Sequence, residues 1–212
     1  MTDIYDITRT ISPQLQVWPG DTPYSVTPVM QMTEGSSVNL VTLITTAHVG
    51  THADAYYHYT LNGAYADKMP LEAYIGPARV VTVSKREGPL VPEDFAHVDL
   101  RGGQRLLVHS SSSDLPDNAW PEAIVYPSPE LIAWLASMHY VLIGMDSPSV
   151  DAFDSKDLPG HNAICAHGMV NLEGLILRNV PDGDYELVAL PLKLDLACGS
   201  PVRAILRPLS QT

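Results

Sequence analysis

Three of the chain's eight histidines and one carboxylate fall within the stretch His48-Val49-Gly50-Thr51-His52-Ala53-Asp54-Ala55-Tyr56-Tyr57-His58, and all four side chains occupy even positions. An extended backbone sends alternate side chains to one face, so His48, His52, Asp54 and His58 share a side. A helix pairs His48 with His52 and Asp54 with His58 but sets Asp54 roughly 200° round from His52. Gly50 and Thr51 are also weak helix formers. A flat strand fails as well: at about 3.3 Å per residue, His48 and His52 stand roughly 13 Å apart, too far for one ion with bonds near ~2 Å. The spacing therefore predicts an extended segment bent sharply at Gly50, the residue that tolerates the bend. Histidine and carboxylate are the usual ligands of borderline metals. The stretch reads as a metal site rather than as histidines on a polar loop.

At 212 residues the chain is expected to be one domain, residues 1–212, with a substantial core. Its apolar fraction of 45% and charged fraction of 17% are those of an ordinary globular protein. The formal charge of −12 argues against a nucleic-acid or anionic-membrane partner. Two cysteines, Cys165 and Cys198, fit a reducing compartment and are expected to be small buried hydrophobes. The start of the sequence has no basic region followed by an apolar run. The most apolar stretch, 131–145, is too short and too interrupted to span a membrane. A cytoplasmic location is expected.

Along the chain, strands are expected over 4–11, 25–32 (at an edge, because of Pro28), 38–47, 78–84, 105–110, 140–145, 185–194 and 202–209, and a strand or a helix-to-strand passage over 172–177. The β-branched run 38–47 leads directly into His48 and would give the metal motif a rigid base. Helical turns are expected at 70–74, 93–95 and 161–167. The clearest helix begins at Ser128-Pro129-Glu130, with Ser at the N-cap, Pro at the first helical position and an acid near the helix dipole. Strand, capped helix and buried strand together imply a crossover unit with parallel pairing. The fold class is mixed α/β with more strand than helix.

A second set of candidates lies in His161, His167 and Glu173. A charged Glu173 amid Val170-Asn171-Leu172 and Gly174-Leu175-Ile176 is costly to bury without a partner, and a metal ion would remove that cost. Ser110 to Asp114 contains no Gly-x-Ser-x-Gly elbow and reads as a solvated turn. His97, His109 and His139 have no second ligand nearby and read as structural. Val180 to Tyr185 reads as a hairpin turn. Trp18, beside the rigid turn Pro19-Gly20, is either a core aromatic or a stacking surface at the mouth of a site.

The run His48-x-Gly50-Thr51-His52-x-Asp54-x3-His58 resembles the signature of the metal-dependent cyclase/amidohydrolase family, which includes bacterial kynurenine formamidases and isatin hydrolases. The resemblance extends to Val17-Trp18-Pro19-Gly20-Asp21, Leu158-Pro159-Gly160-His161, Leu172-Glu173-Gly174-Leu175 and Ser200-Pro201-Val202-Arg203-Ala204. The Trp18 segment and Gly183-Asp184-Tyr185-Glu186-Leu187 most resemble the kynurenine formamidase branch. One departure is Tyr56, where the signature has a φ-fixing Pro. The resemblance implies a swivelling β/β/α fold and a homodimer. It also implies a site with two Zn²⁺ held by His48, His52, Asp54, His161 and Glu173, the two carboxylates bridging. His58 would be the general acid/base and Trp18 would contact the substrate ring. The implied activity is hydrolysis of N-formyl-L-kynurenine to L-kynurenine and formate by a metal-activated hydroxide, with an isatin or other cyclic-amide hydrolase as the alternative.

Overall fold

In the computed structural model, which describes residues 4–209, the apolar runs expected to be buried form the middle of one nine-stranded sheet. The first half of the chain supplies β1 (Tyr5–Asp6), β2 (Ser25–Met30), β3 (Leu40–Ile44), β4 (His52–Asp54), β5 (Ile75–Thr82), β6 (Gly88–Leu90) and β7 (Arg105–His109). The second half adds β8 (Val125–Pro127), α1 (Pro129–Ser137), β9 (Leu142–Met145), α2 (Pro159–Ala166), β10 (Val170–Glu173), β11 (Gly183–Val188), β12 (Gly199–Pro201) and β13 (Ile205–Pro208). The large sheet runs β1-β13-β11-β5-β7-β9-β10-β4-β12. Its central strands β5, β7, β9 and β10 are parallel, and the flanking pairs are antiparallel.

The parallel centre follows from α1. Ser128 Oγ accepts the Leu131 N–H at 3.1 Å and Pro129 opens the helix, so the chain leaves β7, crosses over and returns as β9 alongside it. Both faces of these strands are buried. Leu107 and Leu142 join the core packed around Leu172, Leu187 and Leu206, whereas Leu106, Val108 and Ile143 join the core under α1 with Leu131, Ile132 and Leu135. Period-two alternation thus fills two layers at once. The mixed α/β class, rich in strand, is the architecture the sequence implied.

Several local expectations need correction. The strand expected over 4–11 pairs only at Tyr5–Asp6. Beyond it, Thr8 Oγ1 exchanges hydrogen bonds with the Ala204 backbone and the Arg9 N–H goes to Thr51 Oγ1, so side chains replace the ladder. The run 38–47 forms the expected strand over Leu40–Ile44 but not the rigid base expected for His48: β3 pairs with β2 alone in a two-stranded hairpin exposed on both faces. Its β-branched residues specify a strand but not which sheet receives it. Nor is 180–185 a hairpin turn, since β11 pairs with β5 and β13 and not with the segment before it. Residues 190–196 leave the sheet as irregular chain rather than extending β11. The serine turn is not solvated. Ser110, Ser112 and Ser113 are buried, because the buried Asp146 carboxylate accepts from the Ser110 and Ser113 N–H groups and from Ser110 Oγ.

Candidate metal centre

The bend expected at Gly50 is present, with φ at +61°. Gly174, at φ +66°, stacks against it, and a Cβ on Gly174 would lie 2.3 Å from the Gly50 carbonyl oxygen. Glycine is therefore required there by space as well as by conformation. Thr51 Oγ1 donates to the Gly174 carbonyl at 2.7 Å and fastens the bend to the end of β10. Immediately after it, β4 is clamped between β10 and β12, with His52 directly opposite Glu173. The rigid base of the motif is this three-strand clamp, not the run before His48. Tyr56 takes over from the missing proline by another route: its hydroxyl donates to the Met169 carbonyl at 2.8 Å and ties the following turn to the start of β10.

His48, His52, His161 and Glu173 line a cavity of about 260 Å³, and the buried Asp54 carboxylate lies within 3.5 Å of all three imidazoles. Asp54 presents Oδ1 to His48 Nδ1 (2.9 Å) and His52 Nε2 (3.5 Å), and Oδ2 to His161 Nε2 (3.3 Å). Glu173 does the same in mirror fashion, with Oε2 toward His52 Nε2 (3.3 Å) and Oε1 toward His161 Nε2 (3.5 Å). Each carboxylate thus spans from the His48/His52 side to the His161 side.

The outer nitrogen of each imidazole is held by a different partner. His52 Nδ1 lies 3.0 Å from the Gly50 carbonyl, His161 Nδ1 lies 2.7 Å from Asp151 Oδ2, and His48 Nε2 lies 3.1 Å from Cys198 Sγ. Such contacts fix the ring orientation and turn the other nitrogen inward. Asn171 Nδ2 donates to Asp54 Oδ2 (2.7 Å) and Glu173 Oε1 (3.2 Å), which holds the two carboxylates side by side.

Asp151 does double duty. Its carboxylate also accepts the Gly160 and His161 N–H groups at the start of α2, at 2.8 and 3.0 Å, so one residue satisfies the helix end and orients the His161 ring. Neither Asp151 nor Asn171 was singled out from the sequence. The available signals were an acid in the loop before His161 and an amide two residues before Glu173. Cys198, expected to be a buried hydrophobe, is half-buried beside His48 instead. His167 takes no part in the cluster.

The electrostatics are those of a site made for cations. Burial opposes charge on His52 more than any single contact does, yet hydrogen bonds to Asp54 and Glu173 together outweigh it and push its pKa up to about 10. His161 is likewise opposed by burial and pushed up to about 12 by Asp151, Asp54 and Glu173. Burial favours the protonated acids, but the surrounding imidazoles hold Asp54 and Glu173 below the ordinary carboxylate range. Asp54 Oδ1 is buried and has no hydrogen bond of acceptable geometry, although two imidazole nitrogens point toward it. A metal ion fits this donor set: it would take the inward nitrogens and the orphaned oxygen together. Among the described residues three groupings have ligand atoms close enough to share an ion: His48 with His52 and Asp54, Asp54 with His58 and His161, and His48 with His58 and Cys198.

His58 is more exposed than these residues and stands at the cavity edge, its ring centroid 4.1 Å from that of His48 and 6.0 Å from that of His161. Burial lowers its pKa first, with the neighbouring histidines adding to the effect, while Asp54 and Glu173 pull the other way. It is therefore largely neutral at neutral pH. Farther out, Trp18 is 39% exposed and lines the cavity, so it is no core residue. Its ring meets Trp120 at 5.6 Å and Phe153 at 5.7 Å, both edge-to-face. The Gln16 N–H donates to the Asp117 carbonyl at 2.9 Å and sets the Trp18 and Trp120 segments beside each other. Trp120 gave no signal in the sequence, because its loop carries no motif.

Residues 5–152 match the family model described as a putative cyclase. The kynurenine formamidase of Salinibacter ruber is 45% identical over 205 residues, covering 96% of this chain and 97% of that protein. A structure of a potential metal-dependent hydrolase with cyclase activity superposes with a TM-score of 0.84 at 25% identity, over 99% of this chain and 100% of that one. Isatin hydrolase A of Labrenzia aggregata shares the fold at 23% identity, with a TM-score of 0.83 over 98% and 94% of the two chains. The fold, the motif and these relatives agree: the chain belongs to the cyclase family.

Proposed function

We propose that this chain is a metal-dependent kynurenine formamidase that hydrolyses N-formyl-L-kynurenine to L-kynurenine and formate. The observation that carries the reading is the convergence of three imidazoles and two spanning carboxylates in a chain 45% identical, end to end, to a kynurenine formamidase. His48, His52, Asp54, His161 and Glu173 would hold two Zn²⁺. Two ions rather than one are supported by the carboxylate oxygens, one of each pair facing His48 and His52 or His52 alone, the other facing His161. When bound, the ions supply a nucleophile from water at neutral pH and stabilise charge on the carbonyl under attack.

The remaining work falls to the chain itself. His58, neutral and open to the cavity, accepts a proton at its free nitrogen and delivers it to the leaving anilide nitrogen. An anilide departs poorly until it is protonated, and a positioned acid/base of this kind contributes roughly 10²–10⁴-fold. Trp18 and Trp120, with Phe153 packed against both, give the aryl ring an aromatic wall.

We read residues 1–212 as a single hydrolase domain working as a homodimer in the cytoplasm. Dimerisation is supported by the hairpin, where Val26, Val29, Leu40, Val41, Leu43 and Ile44 are all more than two-fifths exposed. Two free cysteines suit a reducing compartment, and among the described residues no helix is long and apolar enough to cross a membrane. The test is an assay of purified protein with N-formyl-L-kynurenine and with isatin, alongside metal analysis. Release of kynurenine and formate that stops on chelation supports the reading. Isatin opening without deformylation overturns it.

A further inference from the structure

The aromatic wall and the metal cluster account for the aryl ring and the formyl group of the proposed substrate. They leave its third part, the α-amino-acid end, without a partner. The same cavity is lined by charge of both signs beyond the metal cluster's own residues, in Arg9, Asp117 and Asp21. Arg9 is an unusual presence there. Its side chain is only 12% exposed, and its guanidinium is pinned by Nη1 to Asp117 Oδ1 at 3.1 Å and by Nη2 to the Ser112 carbonyl at 3.0 Å. These contacts use two of the five N–H donors that a guanidinium carries. The plane is held rigid while donors remain for a ligand. Asp117 is one-third exposed and has carboxylate capacity beyond Arg9, and Asp21 shares the cavity lining. A fixed cation beside a carboxylate is the complement of a zwitterion: the guanidinium takes a carboxylate and the acid takes an ammonium. A neutral cyclic amide or a simple formanilide has no use for either.

Resting on the formamidase reading, we propose that Arg9 and Asp117 form a recognition subsite for the α-amino-acid group of the substrate. Arg9 binds the α-carboxylate, and Asp117 binds the α-ammonium. The pair selects among formanilides and takes no part in bond cleavage. It is built from the segment before Trp18 and the segment before Trp120, so charge recognition and the aromatic wall come from the same two loops.

The experiment compares three substrates: N-formyl-L-kynurenine, its desamino analogue that keeps the carboxylate, and 2′-formamidoacetophenone, which lacks the whole amino-acid end. Arg9→Gln should lower kcat/KM roughly 10- to 100-fold on the first two, the scale of a hydrogen bond to a charged group, and change the third by less than about 3-fold. Asp117→Asn, the milder replacement, should lower kcat/KM on N-formyl-L-kynurenine alone. Equal losses on all three substrates would mean that Arg9 only braces the Ser112 turn, and would overturn the proposal. So would an unchanged kcat/KM on all three. If the parent enzyme turns over the truncated formanilide but not N-formyl-L-kynurenine, the formamidase reading fails and the subsite falls with it.

Discussion

The cavity has two ends built on different principles. At the metal end, the side chains stand on β4, β10 and the first turn of α2, and His52, Asp54, His161 and Glu173 are buried. Each is also gripped by a residue behind it, such as Asp151, Asn171 or the Gly50 carbonyl. At the mouth, Trp18, Trp120, Arg9 and Asp117 sit on irregular chain, held by ring edges, by the Gln16–Asp117 backbone hydrogen bond and by the Arg9 guanidinium between Asp117 and Ser112. The contrast separates two tasks. Geometry that must hold to a fraction of an ångström is carried by the sheet and backed by buried hydrogen bonds. Geometry that has only to admit a ring and a charged tail is left to loops.

The largest effect should come from the centre of the metal end. Asp54→Ala removes the carboxylate that reaches both sides of the cluster, and both bound metal and deformylation should fall to background. Metal analysis beside the assay checks this, and full metal retention would break the contrast at its strongest point. Next is His58→Ala, expected to keep most of the metal and lose roughly 10²–10⁴-fold in kcat. A collapse in metal content would make His58 a ligand and assign it to the metal end.

Asp151→Asn tests whether the support behind a ligand matters. It should weaken metal affinity by about 10–100-fold, with activity returning at excess metal. Chelator competition reads it directly, and unchanged affinity would mean that the Asp151–His161 contact does no orienting. The smallest effect belongs to the mouth. Trp18→Ala should cost about 0.5–1.5 kcal/mol of stacking, seen mainly in KM, with the melting temperature nearly unchanged because the ring is 39% exposed. A core tryptophan would instead cost about 3–5 kcal/mol of stability, and thermal unfolding of the same variant separates the two.

The same contrast explains what could be read from the sequence. His48, His52, Asp54 and His58 were legible because their spacing, together with Gly50, leaves few backbone paths that make them neighbours. Glu173 was legible because an acid inside an apolar run needs a partner. Asp151, Asn171 and Cys198 were not, since they act by touching ligands that are distant in sequence or are masked by ordinary loop composition. The mouth was half-legible: Trp18 sits beside a turn signal, whereas Trp120 and Asp117 meet it only through contacts distant in sequence, the Trp18–Trp120 ring edge and the Gln16–Asp117 hydrogen bond. At fold level, the capped helix α1 and the apolar strands gave the parallel centre. The run 38–47 misled because β propensity says nothing about pairing partners. The serine turn misled because its partner, Asp146, lies on the far side of the crossover.

The most direct test of the account is a metal titration of chelator-stripped protein, following bound zinc and deformylation of N-formyl-L-kynurenine together. Two carboxylates that each face both sides of the cluster predict saturation at about two Zn²⁺ per chain, with no turnover in stripped protein and full turnover only as the second equivalent binds. Full activity at one equivalent, or in the stripped protein, would contradict it.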